Sequence, residues 1–107
     1  MNKKELLELI KGVIEEDIEF SKKEGLEIYL TNGTILKLFQ YTQSYLYHNK
    51  KDEDIDKINK ILLDEINFAS EHYASLELGR TDMYNILDIV NKILGRIKEL
   101  KGSDKEW

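Results

Sequence analysis

The sequence predicts an α+β fold that is mainly helical, with an N-terminal amphipathic helix, a short antiparallel β-hairpin and a long antiparallel helical hairpin. Two observations predict it. Apolar residues recur at steps of three and four in the first part of the chain and through most of its second half, which is typical of helices that bury one stripe. Between these segments, Asn32-Gly33 separates two short β-prone runs, the strongest short-range signal for a hairpin.

The first predicted helix covers residues 3–23. Polar residues occupy one face of this segment, and Gly25 follows it. Glycine readily adopts the left-handed backbone conformation in which many helices end, so the helix is expected to stop there. The apolar residues of the opposite face are Leu6, Leu7, Ile10, Val13, Ile14 and Ile18.

The predicted hairpin spans residues 26–39, and residues 41–48 can add a third strand. In the simplest two-residue register Ile28 lies opposite Lys37, so the apolar face of the hairpin is imperfect. The alternative starts a helix at Thr34 and gives an all-α four-helix bundle, because short apolar runs fit a strand or a helix equally well by period alone. The inner stripe of that helix would be Ile35, Leu38, Phe39, Thr42, Tyr45 and Leu46.

The C-terminal half predicts two long helices that fold back on each other, over residues 53–78 and 82–101. Gly79 suits the end of the first helix. Because Leu76 and Met83 are seven residues apart, the apolar seam stays in phase across the break. One uninterrupted helix that pairs in a coiled-coil dimer is therefore the alternative.

Length and composition limit the class of protein. A chain of 107 residues with 41% apolar residues predicts a single domain over residues 1–107, with residues 102–107 as a frayed tail. The absence of cysteine fits a reducing interior and predicts a cytoplasmic protein. Charged residues interrupt every apolar stretch, which disfavours a membrane span. A net charge of -5 with scattered basic residues disfavours direct nucleic-acid binding.

Signals for catalysis are missing from the sequence. His48 and His72 are the two histidines, and neither belongs to a zinc or di-iron helix motif. The serines lack a nucleophile elbow, and neither common glycine-rich phosphate loop is present. The sequence therefore predicts no enzyme activity, no metal site and no cofactor.

The predicted binding residues are mainly aromatic. Tyr41, Tyr45 and Tyr47 lie close together beside His48, and such a patch suits a partner interface or a stacked ligand base. The alternative is that these rings pack the sheet onto the helices. Arg80, at the turn between the two long helices, is a candidate for binding an anion.

Acidic residues form two clusters, at residues 15–19 and 52–56. Such clusters can imitate a phosphate backbone and occupy a basic groove on a partner. The alternative is a solvated helix face in the first case and a favourable helix start in the second.

These observations predict a small acidic binding protein, homodimeric or larger, that docks on a protein partner and inhibits or regulates it. Small phage-encoded inhibitors and immunity proteins have this general character, by analogy of size and composition only. The abundance of Ile, Lys, Glu and Asn indicates an AT-rich genome, and the analogy predicts a bacterial or phage protein. The alternative function is an oligomeric protein that binds a small anionic molecule or nucleotide signal.

Overall fold

Four helices account for most of the residues that the computed structural model describes, which are 2–27, 30–73 and 75–103, with side chains described as far as residue 98. Each helix runs antiparallel to the one before it. The predicted α+β fold is therefore wrong, and the four-helix alternative fits. The helices are α1 (Lys3–Glu24), α2 (Asn32–His48), α3 (Glu53–His72) and α4 (Arg80–Ser103).

The segment predicted as a β-hairpin, with a possible third strand over residues 41–48, is α2 over most of its length. Asn32-Gly33 is not a turn but the first two residues of this helix, and Gly33 does not have a positive φ. Thr31 precedes it in an extended conformation, with φ -77° and ψ 163°. The helical stripe decides the outcome because it buries Ile35, Leu38 and Thr42 together, whereas the strand register places Lys37 on the apolar face. Residues 28 and 29 of the predicted hairpin lie outside the described residues.

Both ends of α1 have local hydrogen bonds that explain where the helix begins and ends. The Asn2 side chain accepts a hydrogen bond from the Glu5 N–H at 2.8 Å, and Glu5 accepts one in return from the Asn2 N–H. At the other end Gly25 has φ 68°, in the left-handed region. The Leu26 N–H then donates to the Ser21 carbonyl at 2.9 Å, which closes the helix and fixes the position of Leu26.

The break between α3 and α4 comes earlier than the sequence predicts. α3 ends at His72 rather than at residue 78, and the single-helix alternative does not occur. Leu78 is instead extended, and its carbonyl accepts a hydrogen bond from the Leu30 N–H at 3.2 Å. Both leucines are almost completely buried, so a continued helix would lose their contribution to the core. Residues 102 and 103 of the predicted frayed tail belong to α4, and residues 104–107 lie outside the described part of the chain.

Packing is most extensive between α1 and α4 and between α2 and α3, while α1 with α2 and α3 with α4 are in looser contact. Because each helix runs antiparallel to the one before it, the connections from α1 to α2 and from α3 to α4 lie at one end of the bundle, and the connection from α2 to α3, residues 49–52, lies at the opposite end. We call these the two-loop end and the one-loop end. The core consists of Leu6, Leu7, Ile10, Ile14, Ile18, Leu30, Ile35, Leu38, Ile55, Ile58, Leu62, Leu78, Met83, Ile86, Leu87, Val90 and Ile93.

One polar pair is buried between α2 and α3. The Asn59 amide donates to the Thr42 hydroxyl at 2.8 Å, and that hydroxyl donates to the Phe39 carbonyl at 2.9 Å. Buried polar groups are tolerated when they are paired in this way. None of the helices in the described residues combines the length and the apolar content that a membrane span requires.

Candidate functional site

At the one-loop end, an ionic network joins all four helices. The Lys3 ammonium of α1 lies 3.2 Å from Asp52 and 3.1 Å from Asp54, at the start of α3. Arg96 of α4 reaches the other oxygen of Asp54 at 3.2 Å, and the Tyr45 hydroxyl of α2 donates to Asp52 at 2.8 Å. The polar groups of this network are therefore used by the fold itself.

The pKa values in this network agree with a structural role. Burial, and then the hydrogen bond to the Asp52 carboxylate, raise the pKa of Tyr45 to about 12. Burial pushes the pKa of Asp52 up, but hydrogen bonds from Tyr45, the Ile55 N–H and Lys3 outweigh it, so this pKa lies below its usual value. Burial also pushes the pKa of Asp54 up, but hydrogen bonds from Lys3 and Arg96 and the positive charges of these residues outweigh it, so this pKa too lies below its usual value. These carboxylates remain ionised at neutral pH and are not suited to exchange protons.

The predicted tyrosine patch lies at this end, but its members differ in surroundings. Tyr41 and Tyr45 are partly buried against the core. Tyr47 is 74% exposed, and its ring meets the His48 ring edge to face at 5.1 Å between centroids. Tyr41, Tyr45 and His48, with Ser44, line a depression of about 280 Å³.

Arg80 is not part of this patch. It begins α4 at the two-loop end, and its guanidinium carbon lies 5.7 Å from the centre of the Tyr84 ring. Leu78, two residues before Arg80, pairs with Leu30, two residues before α2, whereas His48 is the last residue of α2. Because α2 spans about 25 Å at roughly 1.5 Å per residue, Arg80 and His48 lie at opposite ends of the bundle. The structure therefore divides the predicted binding residues between two separate surfaces.

The two-loop end carries most of the large apolar and aromatic side chains that the described residues leave exposed. Seven such side chains are found, and Tyr47 is the one that belongs to the other end. A contiguous exposed apolar patch on a soluble protein commonly marks an interaction site, whereas single exposed apolar side chains are common. The other six exposed side chains, at the two-loop end, are Phe20, Leu26, Leu36, Phe68, Tyr73 and Tyr84.

Between α1 and α2, this end has two adjoining depressions of about 340 and 330 Å³, which share Asp17 and Phe20. Their described charged lining residues are all acidic. Burial, and then the negative charge of Glu16, raise the pKa of Asp17 above its usual value. We call this region the acidic groove and define it by Val13, Glu16, Asp17, Phe20, Leu26 and Glu27.

The two acidic clusters have different surroundings. In the second cluster, Asp52 and Asp54 pair with Lys3 and Arg96, and Asp56 pairs with Lys60. In the first cluster, at residues 15–19, no acidic side chain forms an ion pair with any described residue. The negative charge beside the acidic groove is therefore available to a partner.

On the other side of the two-loop end, the last turn of α3 carries an aromatic group. The Phe68 and His72 rings stack at 4.2 Å with an angle of 20° between their planes. Tyr73 follows with φ 54° and is 98% exposed. A non-glycine residue in the left-handed region costs stability, and such conformations are concentrated at functional sites. We call Phe68, His72 and Tyr73 the aromatic platform.

Sequence reasoning missed Phe20 and Phe68, although a signal for both was present. Each lies off the buried stripe of its own helix, because Phe20 follows Ile18 by two residues and Phe68 precedes Ala69 by one. Large apolar residues out of phase with the stripe are expected to face solvent.

No group of three or more histidine, cysteine, aspartate or glutamate side chains among the described residues is placed to hold a metal ion. Comparisons with protein-family models, with curated proteins and with solved structures gave no match. The surface of this chain is therefore the guide to its function.

Proposed function

We propose that this chain is a non-enzymatic binding protein that docks on a protein partner through its two-loop end and thereby inhibits or regulates that partner. The observation that carries the proposal is the concentration of exposed aromatic and aliphatic side chains at one end of the bundle. Aromatic residues of this kind provide a large share of the binding energy at protein interfaces. The absence of cysteine supports a cytoplasmic setting for this interaction.

The two ends of the bundle also differ in a way that favours this assignment. At the one-loop end, Lys3, Asp52, Asp54 and Arg96 satisfy one another's charge. At the two-loop end, the exposed apolar side chains lie on or beside helices whose backbone is fixed. Anchors that are already in place lose little conformational entropy on binding, which increases affinity.

The proposal is tested by quantitative co-purification of tagged protein from its native cells. In the platform variant, which combines Phe68→Ala with Tyr73→Gly, exposed rings are removed from the two-loop end. The control is Tyr47→Ala, which removes a ring that is 74% exposed from the one-loop end. We expect a specific protein to co-purify with the wild type and the control and to be depleted with the platform variant. Equal recovery with all three proteins, or no specific protein with any of them, would contradict the proposal.

A second candidate function is the binding of a small anionic or nucleotide ligand at the one-loop end. The depression lined by Tyr41, Ser44, Tyr45 and His48 favours it, since three of these side chains have aromatic rings that can stack on a base. Its volume of about 280 Å³ is close to the lower limit for small-molecule sites. Nucleotides that raise the unfolding temperature of the wild type, but not of Tyr41→Ala, would favour this function over docking.

A further inference from the structure

We propose that the acidic groove holds a basic amphipathic segment of the partner protein, with an apolar side chain against Phe20 and Leu26 and with lysine or arginine side chains paired with Glu16, Asp17 and Glu27. This inference rests on the proposed docking function and names the chemistry of the partner that the groove recognises.

The groove combines apolar and acidic groups on one rigid face. Four groove residues project from one side of α1, because Glu16, Asp17 and Phe20 follow Val13 by three, four and seven residues. Phe20 is 58% exposed. An apolar anchor flanked by charges of one sign is the arrangement that recognises an amphipathic segment of opposite charge.

The other wall of the groove is held in place by the end of α1. Leu26 is 57% exposed, although hydrogen bonds from Gly25 and Leu26 to carbonyls of the last helical turn fix the backbone there. In such helix ends an apolar residue at this position commonly packs back on its own helix. Its exposure here leaves a second anchor beside Phe20.

Charge complementarity selects the occupant. Glu16, Asp17 and Glu27 line the two depressions, and no lysine or arginine is among their described lining residues. The whole chain has a net charge of -5, so nucleic acid and anionic membranes are repelled. A second copy that used the same surface symmetrically would place these carboxylates against one another. A basic segment of a different protein relieves this repulsion.

Loose packing between α1 and α2 gives the segment room. These two helices contact each other less than either contacts its main partner helix, and Thr34 of α2 lines the second depression opposite Phe20. The two depressions adjoin each other along this seam, so the occupant is a short stretch of chain rather than a single side chain.

The direct test uses a synthetic peptide of roughly 15 residues, about four helical turns, with leucine on one face and lysine on the other. It is titrated into full-length isotope-labelled protein, and amide shifts are followed by NMR. We expect saturable binding that weakens with salt, with shifts concentrated at residues 13–20 and 26–34. A peptide with glutamate in place of lysine, and one with serine in place of leucine, should both bind at least tenfold more weakly.

Two triple variants separate the groove from general attraction between opposite charges. The groove variant is Glu16→Gln, Asp17→Asn and Glu27→Gln, and we expect its peptide affinity to fall about eightfold, roughly twofold for each charge removed. The control variant changes the same number of charges elsewhere and should stay within about twofold. It combines Glu8→Gln, Asp64→Asn and Asp88→Asn. Circular dichroism and unfolding temperature verify that both variants are folded.

Three results would overturn the inference: shifts centred outside the groove, equal losses in the two triple variants, or undiminished binding of the serine peptide. Co-purification with the groove variant separates this inference from the proposed function. If the partner is retained by the groove variant but lost with the platform variant, docking stands and the basic-segment inference fails. If neither variant loses the partner, the docking function itself fails.

Discussion

Tyr45→Phe removes the hydroxyl that ties α2 to the start of α3. This hydroxyl donates to Asp52 at 2.8 Å, and the Asp52 side chain is only 12% exposed. A hydrogen bond to a charged group contributes about 1.5–3 kcal/mol. Because Tyr45 itself is partly exposed, we expect the lower part of this range, a loss of about 1.5 kcal/mol in the free energy of unfolding.

Urea unfolding followed by circular dichroism measures this loss. For a chain of this size the free energy of unfolding falls by about 1.3 kcal/mol per molar urea, so the midpoint should decrease by about 1 M. Tyr47→Phe is the matched control, because its ring is 74% exposed. Its midpoint should stay within about 0.4 M of the wild type, which corresponds to the usual range for surface changes.

The pH dependence is a second measure of the surroundings of Tyr45, which are its burial and its hydrogen bond to Asp52. The folded pKa of Tyr45, about 12, lies above its ordinary value of 10.0. The stabilisation is therefore complete below pH 10 and is lost as the pH rises from 10 to about 12. The pKa of Asp52 is lowered from 3.8, so its stabilisation is present above that pH and is lost as the pH falls below it. A Tyr45→Phe variant as stable as the wild type at pH 7, or a difference unchanged at pH 12, would refute the reasoning.

Three further predictions concern stability and are measured by thermal unfolding. Tyr73→Gly should stabilise the protein by about 1 kcal/mol, because glycine adopts the left-handed conformation without strain; a lower midpoint would show that the ring makes contacts. Thr42→Val should cost about 1–3 kcal/mol by leaving the buried Asn59 amide unpaired, and adding Asn59→Leu should recover most of this loss. Gly12→Ala should stabilise α1 by about 0.5–1 kcal/mol, since an added Cβ at this position meets no atom within 4 Å; destabilisation would contradict the observed space.

The sequence predicts α1 well because its local signals and its burial pattern agree. The helix predicted over residues 3–23 is observed as Lys3–Glu24, with Gly25 in the left-handed conformation. In α2 the signals disagree. Asn32-Gly33 favours a turn locally, but the stripe that includes Ile35 buries more apolar surface as a helix. Local preference amounts to about 1 kcal/mol, whereas burial of each large apolar side chain contributes roughly 1.5–3 kcal/mol.

The early end of α3 could not be predicted from local pattern. Leu76 continues the helical period, and Gly79 is the nearest residue that favours a helix end. The structure stops the helix at His72 because Leu78 pairs with Leu30, a residue 48 positions earlier in the chain. Sequence reasoning within a window of one helix contains no information about that partner.

In the candidate site, the number of aromatic residues along a segment and the position of each ring relative to the buried stripe lead to different predictions. Tyrosines are dense along residues 41–47, yet Tyr45 uses its hydroxyl to close the bundle, because tyrosine offers an apolar ring together with a hydrogen-bond donor. Phenylalanine has no such second use. A phenylalanine left in water forgoes roughly 1.5–3 kcal/mol of burial energy, and this chain leaves both Phe20 and Phe68 more than half exposed in the two-loop half of the bundle. The phase of a ring relative to the buried stripe therefore predicts the exposure of that ring better than the density of rings along the chain does.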